Sequence, residues 1–380
     1  MLIEEYQHER ARISFAGANY TNISDKYVIN PSSGLVEGPF GSNVKPLTRI
    51  GGKRYTQSEA SSTNNSTYTS DVSQWIGNAL VSKIRGYLDP TGALGATRII
   101  GNASIDAHSI RTNTCNVSEF SAYVKSAGYD YVMVLLYYGA ASRMIFSILN
   151  GTGYVISDSG SKIVSYGSNL SANGFRRIWI KTIGGSSTNN QIGIARDSST
   201  FEWSADGING VDVWNPQYEE SNYPTSPILT SSVPVTRNKD QIYLPAALVP
   251  GELKDGVKFT LYPEWSSSQY PSNVRRFVCS FADPAGDIKV YGHSNGGFYV
   301  LKGESTLITT GAGATSFSAY QKLEVTLNRL AGTLKLGGFT TGNGTYIGTT
   351  WSRTVGNLYI GQDSTESKQW DGLIGEPEIA

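Results

Sequence analysis

The sequence predicts an all-β protein: two jelly-roll or β-sandwich domains in tandem, preceded by an extended N-terminal arm. Three observations carry this expectation. Glycine (42) and tyrosine (23) are abundant, serine, threonine and asparagine are frequent, and only 16% of residues are charged, which favours short strands joined by tight turns. Short apolar stretches end repeatedly at Gly, Pro or Asn, and long runs of helix formers are few. At 380 residues the chain is long for one core, so two domains are expected.

The charge balance argues against several functions. Lys+Arg 31 against Asp+Glu 31 leaves no net positive field for nucleic acid or anionic lipid, and no polybasic run supplies one locally. The first ten residues are acidic where a signal peptide is basic, and no apolar stretch approaches the ~18 residues of a membrane helix. Assembly in a cytosol is expected, with no nucleic-acid partner and no membrane insertion. Cys115 and Cys279 fall in different expected domains, which suits neither a disulfide framework nor a metal site. Both read as buried thiols, with a disulfide between subunits left open.

Residues 1–65 combine Tyr20, Tyr27, Phe40 and Tyr55 with the chain breakers Pro31, Gly38-Pro39, Pro46 and Gly51-Gly52. That punctuation forbids a long helix, and the aromatics exceed what a disordered leader carries, so an arm that docks on another surface is expected. The first domain is expected over 66–224. Its strands are signalled by Asp71–Trp75, Ala96–Ile100, His108–Ile110, Phe120–Lys125, Tyr131–Tyr138, Met144–Leu149 and Phe175–Lys181, with an Asp89-Pro-Thr-Gly92 turn between the first two. Strand alternation places Arg176, Ile178 and Ile180 on one face and Arg177, Trp179 and Lys181 on the other. The stretch 225–240, rich in Pro, Ser and Thr, reads as a linker. A second domain over 241–380 is signalled by Gly256–Tyr262, Arg276–Phe281, Ile288–Tyr291, Gly297–Leu301, Gln321–Leu327, Gly332–Leu336, Gly356–Gly361 and Trp370–Ile379.

The stretch from Trp214 through Gln217, Glu219, Tyr223-Pro-Thr-Ser226, Ile228 and Thr230 to Thr236-Arg237 and Asp240 resembles the signature that closes the carbohydrate-binding-like jelly roll of many bacteriophage tail and appendage proteins. The Trp75-ended strand, the Asp89 turn, the Ala96-Thr-Arg-Ile99 strand and Phe120-Ser-Ala-Tyr-Val-Lys125 resemble that family's opening, in the same order. The C-terminal Gly361, Gly372, Ile374 and Ile379 are similar to the last strands of concanavalin A-like and laminin-G-like sandwiches. These resemblances imply a virion surface protein, expected to be a homotrimer, that contacts other virion proteins through the arm and a host cell-surface glycan through its sandwiches. The alternatives are a purely structural decoration, collar or capsid-fibre protein and, less favoured, a glycan depolymerase.

Chemistry is sparse. His8, His108 and His293 form no i, i+4 pair. Glu376-Pro-Glu378 has the alternate spacing of a glycosidase pair, but its proline suggests an edge strand or turn. Asp283-Pro-Ala-Gly-Asp287 could offer oxygens to Ca²⁺ but reads first as an ordinary type I turn. No catalytic residue, metal site or cofactor is therefore expected. Aromatic side chains remain, since sugar rings stack their C–H faces on Trp or Tyr. Trp203, Trp265, Tyr270, Trp351 and the pair Tyr137 and Tyr138 sit in polar company and are the candidate glycan-stacking residues, whereas Trp179 and Trp214 suit core packing.

Overall fold

A computed structural model describes residues 61–77, 80–112, 115–221 and 224–244 continuously, residue 59, and strand segments elsewhere. The described chain is all-β, in antiparallel sheets, with helix limited to short 3₁₀ turns. It divides into two compact units: residues 1–22, 43–60 and 239–380 form one, and residues 23–42 and 61–238 form the other.

The first unit holds two antiparallel sheets. One runs Asn19–Thr21, Gln241–Leu244, Leu358–Ile360, Arg275–Phe281, Ile288–His293, Phe298–Lys302 and Ser305–Thr309. In the other, Leu253–Pro263 lies between Gln321–Asn328 and Gly372–Gly375, and Lys53–Ser58 continues the sheet beyond Gly372–Gly375. Residues 1–65, expected as one arm, are thus partitioned. Asn19–Thr21, Leu47–Ile50 and Lys53–Ser58 are strands of this unit, while Lys26–Ile29 and Val36–Phe40 form a pair in the other. Pairing satisfies backbone groups that a free extended arm would leave to water.

The second unit is a sandwich. Its larger sheet carries Ile163–Leu170, Arg176–Thr182, Glu119–Ala127 and Gly210–Glu219 side by side. The last strand pairs with Ala96–Gly101 along its start and with Ser62–Asn64 at its end. The facing six-stranded sheet runs Gly153–Asp158, Ala141–Ser147, Tyr131–Tyr137, Gln191–Ala195, Ser109–Arg111 and Ile76–Gly77. Phe120, Val124, Ile178, Ile180, Val211 and Val213 meet Val132, Val134, Met144, Phe146, Ile192 and Ile194 in one buried cluster between them, the alternation of inward positions that a two-sheet core requires. The Asp89 turn forms as the sequence indicates: Asp89 Oδ1 accepts from Thr91 N (2.8 Å) and Thr91 Oγ1 (2.6 Å), and Gly92 takes φ +86°.

All ten residues of Gly210–Glu219 are buried, so the larger sheet is covered on both faces. Over its first half the cover is aromatic. Trp214 meets Tyr27 and Tyr123 edge-on at 6.2 and 5.2 Å, with Val36 and Phe175 alongside. Trp179 is also buried, its indole lying over Gly167 on the neighbouring strand, where a Cβ would come within 2.6 Å of the ring. Both tryptophans thus sit where core packing places them.

Over the second half the cover is polar, and Asn215 makes it so. At φ +43° it is the extra residue of a bulge opposite Ser121 to Tyr123, a left-handed conformation that Asn tolerates. The bulge shifts the alternation, so Tyr218 continues the inward face begun by Val211 and Val213 while Gln217 and Glu219 point outward. There they hold residues 224–237. Glu219 Oε1 accepts from Ser62 Oγ and Thr225 Oγ1 (both 2.6 Å), and Oε2 from Gln217 Nε2 (2.6 Å) and Thr225 N (3.1 Å). Gln217 Oε1 accepts from Ile228 N (2.7 Å), Thr69 Oγ1 from Thr230 N (2.9 Å), and Ser226 Oγ from the buried Arg237 (2.6 Å).

The stretch expected as a linker is therefore a strap, ending in a strand, Val235–Arg237, paired with Ser62–Asn64. Its prolines leave fewer backbone donors, and side-chain acceptors take those of Thr225, Ile228 and Thr230. Protease should accordingly spare 224–230 in the folded chain, whereas Ser231 to Pro234 are exposed. First cleavage within 224–230 under limited digestion would contradict this packing.

Candidate functional site

The outer face of the six-stranded sheet is the described surface where polar and aromatic side chains converge. Ile110, Ile192 and Val134 occupy the core, so their neighbours Ser109, Arg111, Gln191 and Leu135 face outward. Strand register sets Ile76, Arg111, Gln191, Leu135, Arg143 and Ser157 in one row across all six strands. Beside it runs a row of Ser109, Gly193, Met133, Ile145 and Tyr154.

Met133, Leu135 and Ile145 are buried with Phe201 packed against them, and the Arg143 guanidinium lies 4.0 Å from the Phe201 ring centre. Towards the Ile76 edge the face opens into a recess of about 200 Å³ lined by Ile76, Gly77, Ser109, Arg111 and Gln191. Gln191 is fixed at both ends: Ser109 Oγ donates to its Oε1 (2.7 Å), and its Nε2 donates to Asn189 Oδ1 (3.0 Å). Arg111 is exposed, with no hydrogen-bond or ion-pair partner among the described residues. Tyr137, 36% exposed, is the next outward position beyond Leu135 on its strand.

The sequence candidates fare differently. Tyr137 faces outward, but the two-residue period turns Tyr138 inward. Tyr138 packs against the core, its Oη lies 2.8 Å from Thr182 Oγ1, and burial pushes its hydroxyl up to about 12. Trp203 corrects the expectation of an exposed stacking ring. It is 8% exposed, edge-on to Tyr129 (4.7 Å) and His108 (5.9 Å), because Glu202–Trp203 pairs with Asp106–Ala107 and turns the indole onto the core. Trp265, Tyr270, Trp351 and the turn 283–287 lie outside the described residues, as do the side chains of Glu376, Glu378 and Cys279. Cys115 is buried and accepts from Asn190 Nδ2 (3.1 Å), and burial pushes its thiol up to about 12. Among the described residues, no three His, Cys, Asp or Glu side chains are placed to hold a metal.

Sequence reasoning missed Arg111, Gln191, Ser109 and Ile76. The signal was the Ser-Ile-Arg alternation at 109–111, which puts Arg111 outward once Ile110 is assigned to the core. It also missed a carboxyl pair, Glu119 and Glu219, opposite one another in register and both fully buried. Inaccessible to substrate, the pair bears on stability. Neither oxygen of Glu119 has a hydrogen-bond partner among the described residues. Burial first, then the Glu219 charge, push its carboxyl well above the usual range, against the pull of Lys181 and Arg177.

A raised folded-state value means that the stabilising contribution is fully present below the unfolded carboxyl value of about 4.3 and is lost as pH rises towards the folded one. Glu119→Gln keeps the neutral form at every pH. It should raise the melting temperature at about pH 8 and leave it nearly unchanged at about pH 4. Equal shifts at both would contradict the assignment.

No family model matches the chain, and no curated protein matches it. Among solved structures, the full extracellular region of zebrafish Gpr126/Adgrg6 aligns with 72% of this chain and 36% of its own length, at 10% identity and a TM-score of 0.22. The chain spans little more than a third of that neighbour, and so faint a likeness establishes neither fold nor function.

Proposed function

We propose that the chain is a bacteriophage virion appendage protein that attaches to a host surface glycan through the outer face of its six-stranded sheet, without cutting the glycan. The observation that carries the proposal is the pairing on one open face of an exposed Tyr137 with the Arg111 and Gln191 recess, a ring to stack on beside polar groups that orient hydroxyls. The virion assignment rests on the resemblance of the 214–240 signature. That signature's residues work together in the strap, as a family-defining structural element would. Tyr137→Ala should weaken binding to a glycan selected on an array by roughly 1–3 kcal/mol, with melting unchanged. Undiminished binding, or release of reducing ends from host polysaccharide, would count against the proposal.

A structural decoration or fibre protein is the second reading, and one observation favours it. The edge strand Ile163–Leu170 has no charged residue and exposes Val164, Tyr166 and Leu170, whereas solitary edges are usually blunted by charge or proline. Pairing with a neighbouring subunit, as in the expected homotrimer, would cover it. Incorporation into particles with no glycan bound by the wild-type chain would favour this reading.

A further inference from the structure

We infer that the glycan is anionic, a saccharide bearing a carboxylate or phosphate that Arg111 holds; this rests on the glycan-binding reading of the same face. The two rows of outward positions contain Arg111 and Arg143 and not one Asp or Glu. The two arginines are not equivalent. Arg143 is partly buried, stacked on Phe201 and influenced by the Glu202 charge, whereas Arg111 is exposed and unpaired among the described residues.

An arginine fixed on a strand, with no acid among its recess neighbours, leaves its planar fork of donors free for a bidentate acceptor, the geometry of a carboxylate or phosphate. Recess neighbours complete the fit. Ile76, 50% exposed and opposite Arg111 in register, supplies an apolar wall for the C–H face of a ring. Gln191, held by Ser109 and Asn189, gives a positioned amide for a hydroxyl. Tyr137 lies two strands over from Arg111 and one outward step along, about 10 Å across and about 7 Å along by strand geometry. A short oligosaccharide, more than a single ring, spans both contacts. The chain has zero formal net charge, so any anion preference must arise locally rather than from a global field.

The test uses the full chain on an array carrying neutral, carboxylated and phosphorylated oligosaccharides, with wild type, Arg111→Gln and Tyr137→Ala side by side. The inference expects the strongest wild-type signals on the anionic glycans. Arg111→Gln should lose about tenfold or more on these, the scale of one charge-assisted hydrogen bond, and distinctly less on neutral glycans. Whether carboxylated or phosphorylated members lead identifies the anion. Strongest binding to neutral glycans, lost in Tyr137→Ala but intact in Arg111→Gln, would overturn the anionic inference while leaving the glycan-binding reading in place. Binding of no glycan by the wild-type chain would overturn both.

Discussion

Glu219→Leu should destabilise the second unit by about 3–5 kcal/mol, the usual cost of removing one partner from a buried charged or polar network. The two oxygens of Glu219 accept from Ser62, Gln217, Thr225 Oγ1 and Thr225 N, and every one of those donors is buried with it. Leucine removes both acceptors at similar volume, leaving the Gln217 amide and Thr225 N, which cannot accept, buried and unpaired beside the two hydroxyls. Chemical denaturation of the wild type and the variant measures the effect. A double-mutant cycle with Thr225→Val should show coupling, since Thr225 Oγ1 donates directly to Glu219. A Leu variant within about 0.5 kcal/mol of wild type would mean that the strap does not depend on this carboxyl.

Trp214→Ala should cost about 3–5 kcal/mol through loss of burial and the cavity left behind. The indole is the centre of the aromatic cluster on the sheet's other half, touching Tyr27 and Tyr123 edge-on. Its loss would also loosen the attachment of Lys26–Ile29 and Val36–Phe40, which bring Tyr27 and Val36 onto the sheet. Hydrogen exchange in 26–40 should therefore accelerate in the variant ahead of global unfolding. A fully stable Trp214→Ala protein with altered glycan binding would instead make the tryptophan a ligand contact.

The strands were legible because alternation is a local signal. Ile178 and Ile180 face the core and Arg177 and Trp179 the opposite side, as the Phe175–Lys181 run indicates. The Asp89 turn was legible because its hydrogen bonds close within a few residues. The strap was not. Pro, Ser and Thr read as a linker because nothing local shows that the bulge at Asn215 turns Gln217 and Glu219 towards them, and because Thr69 is remote in sequence. Equally hidden was the partition of the first 65 residues, because strand partners such as Gly372–Gly375 for Lys53–Ser58 are remote. At the candidate site, residue type alone could not separate Tyr137 from Tyr138, or reveal that Trp203 is capped by Tyr129 and His108. Arg111 drew no notice because an isolated arginine carries no motif, and its company comes from three other strands.

The proposed function divides the labour: the residues from Trp214 to Arg237 hold the fold, and the outer face of the six-stranded sheet is the proposed binding surface. Hydrogen exchange of the full chain, with and without the tightest-binding array glycan, tests this most directly. The account predicts slowed exchange in peptides covering 76–77, 109–111, 135–137 and 189–193, with 214–219 and 224–230 already protected and unchanged. Protection appearing only in 214–237 or along 163–170 would contradict it.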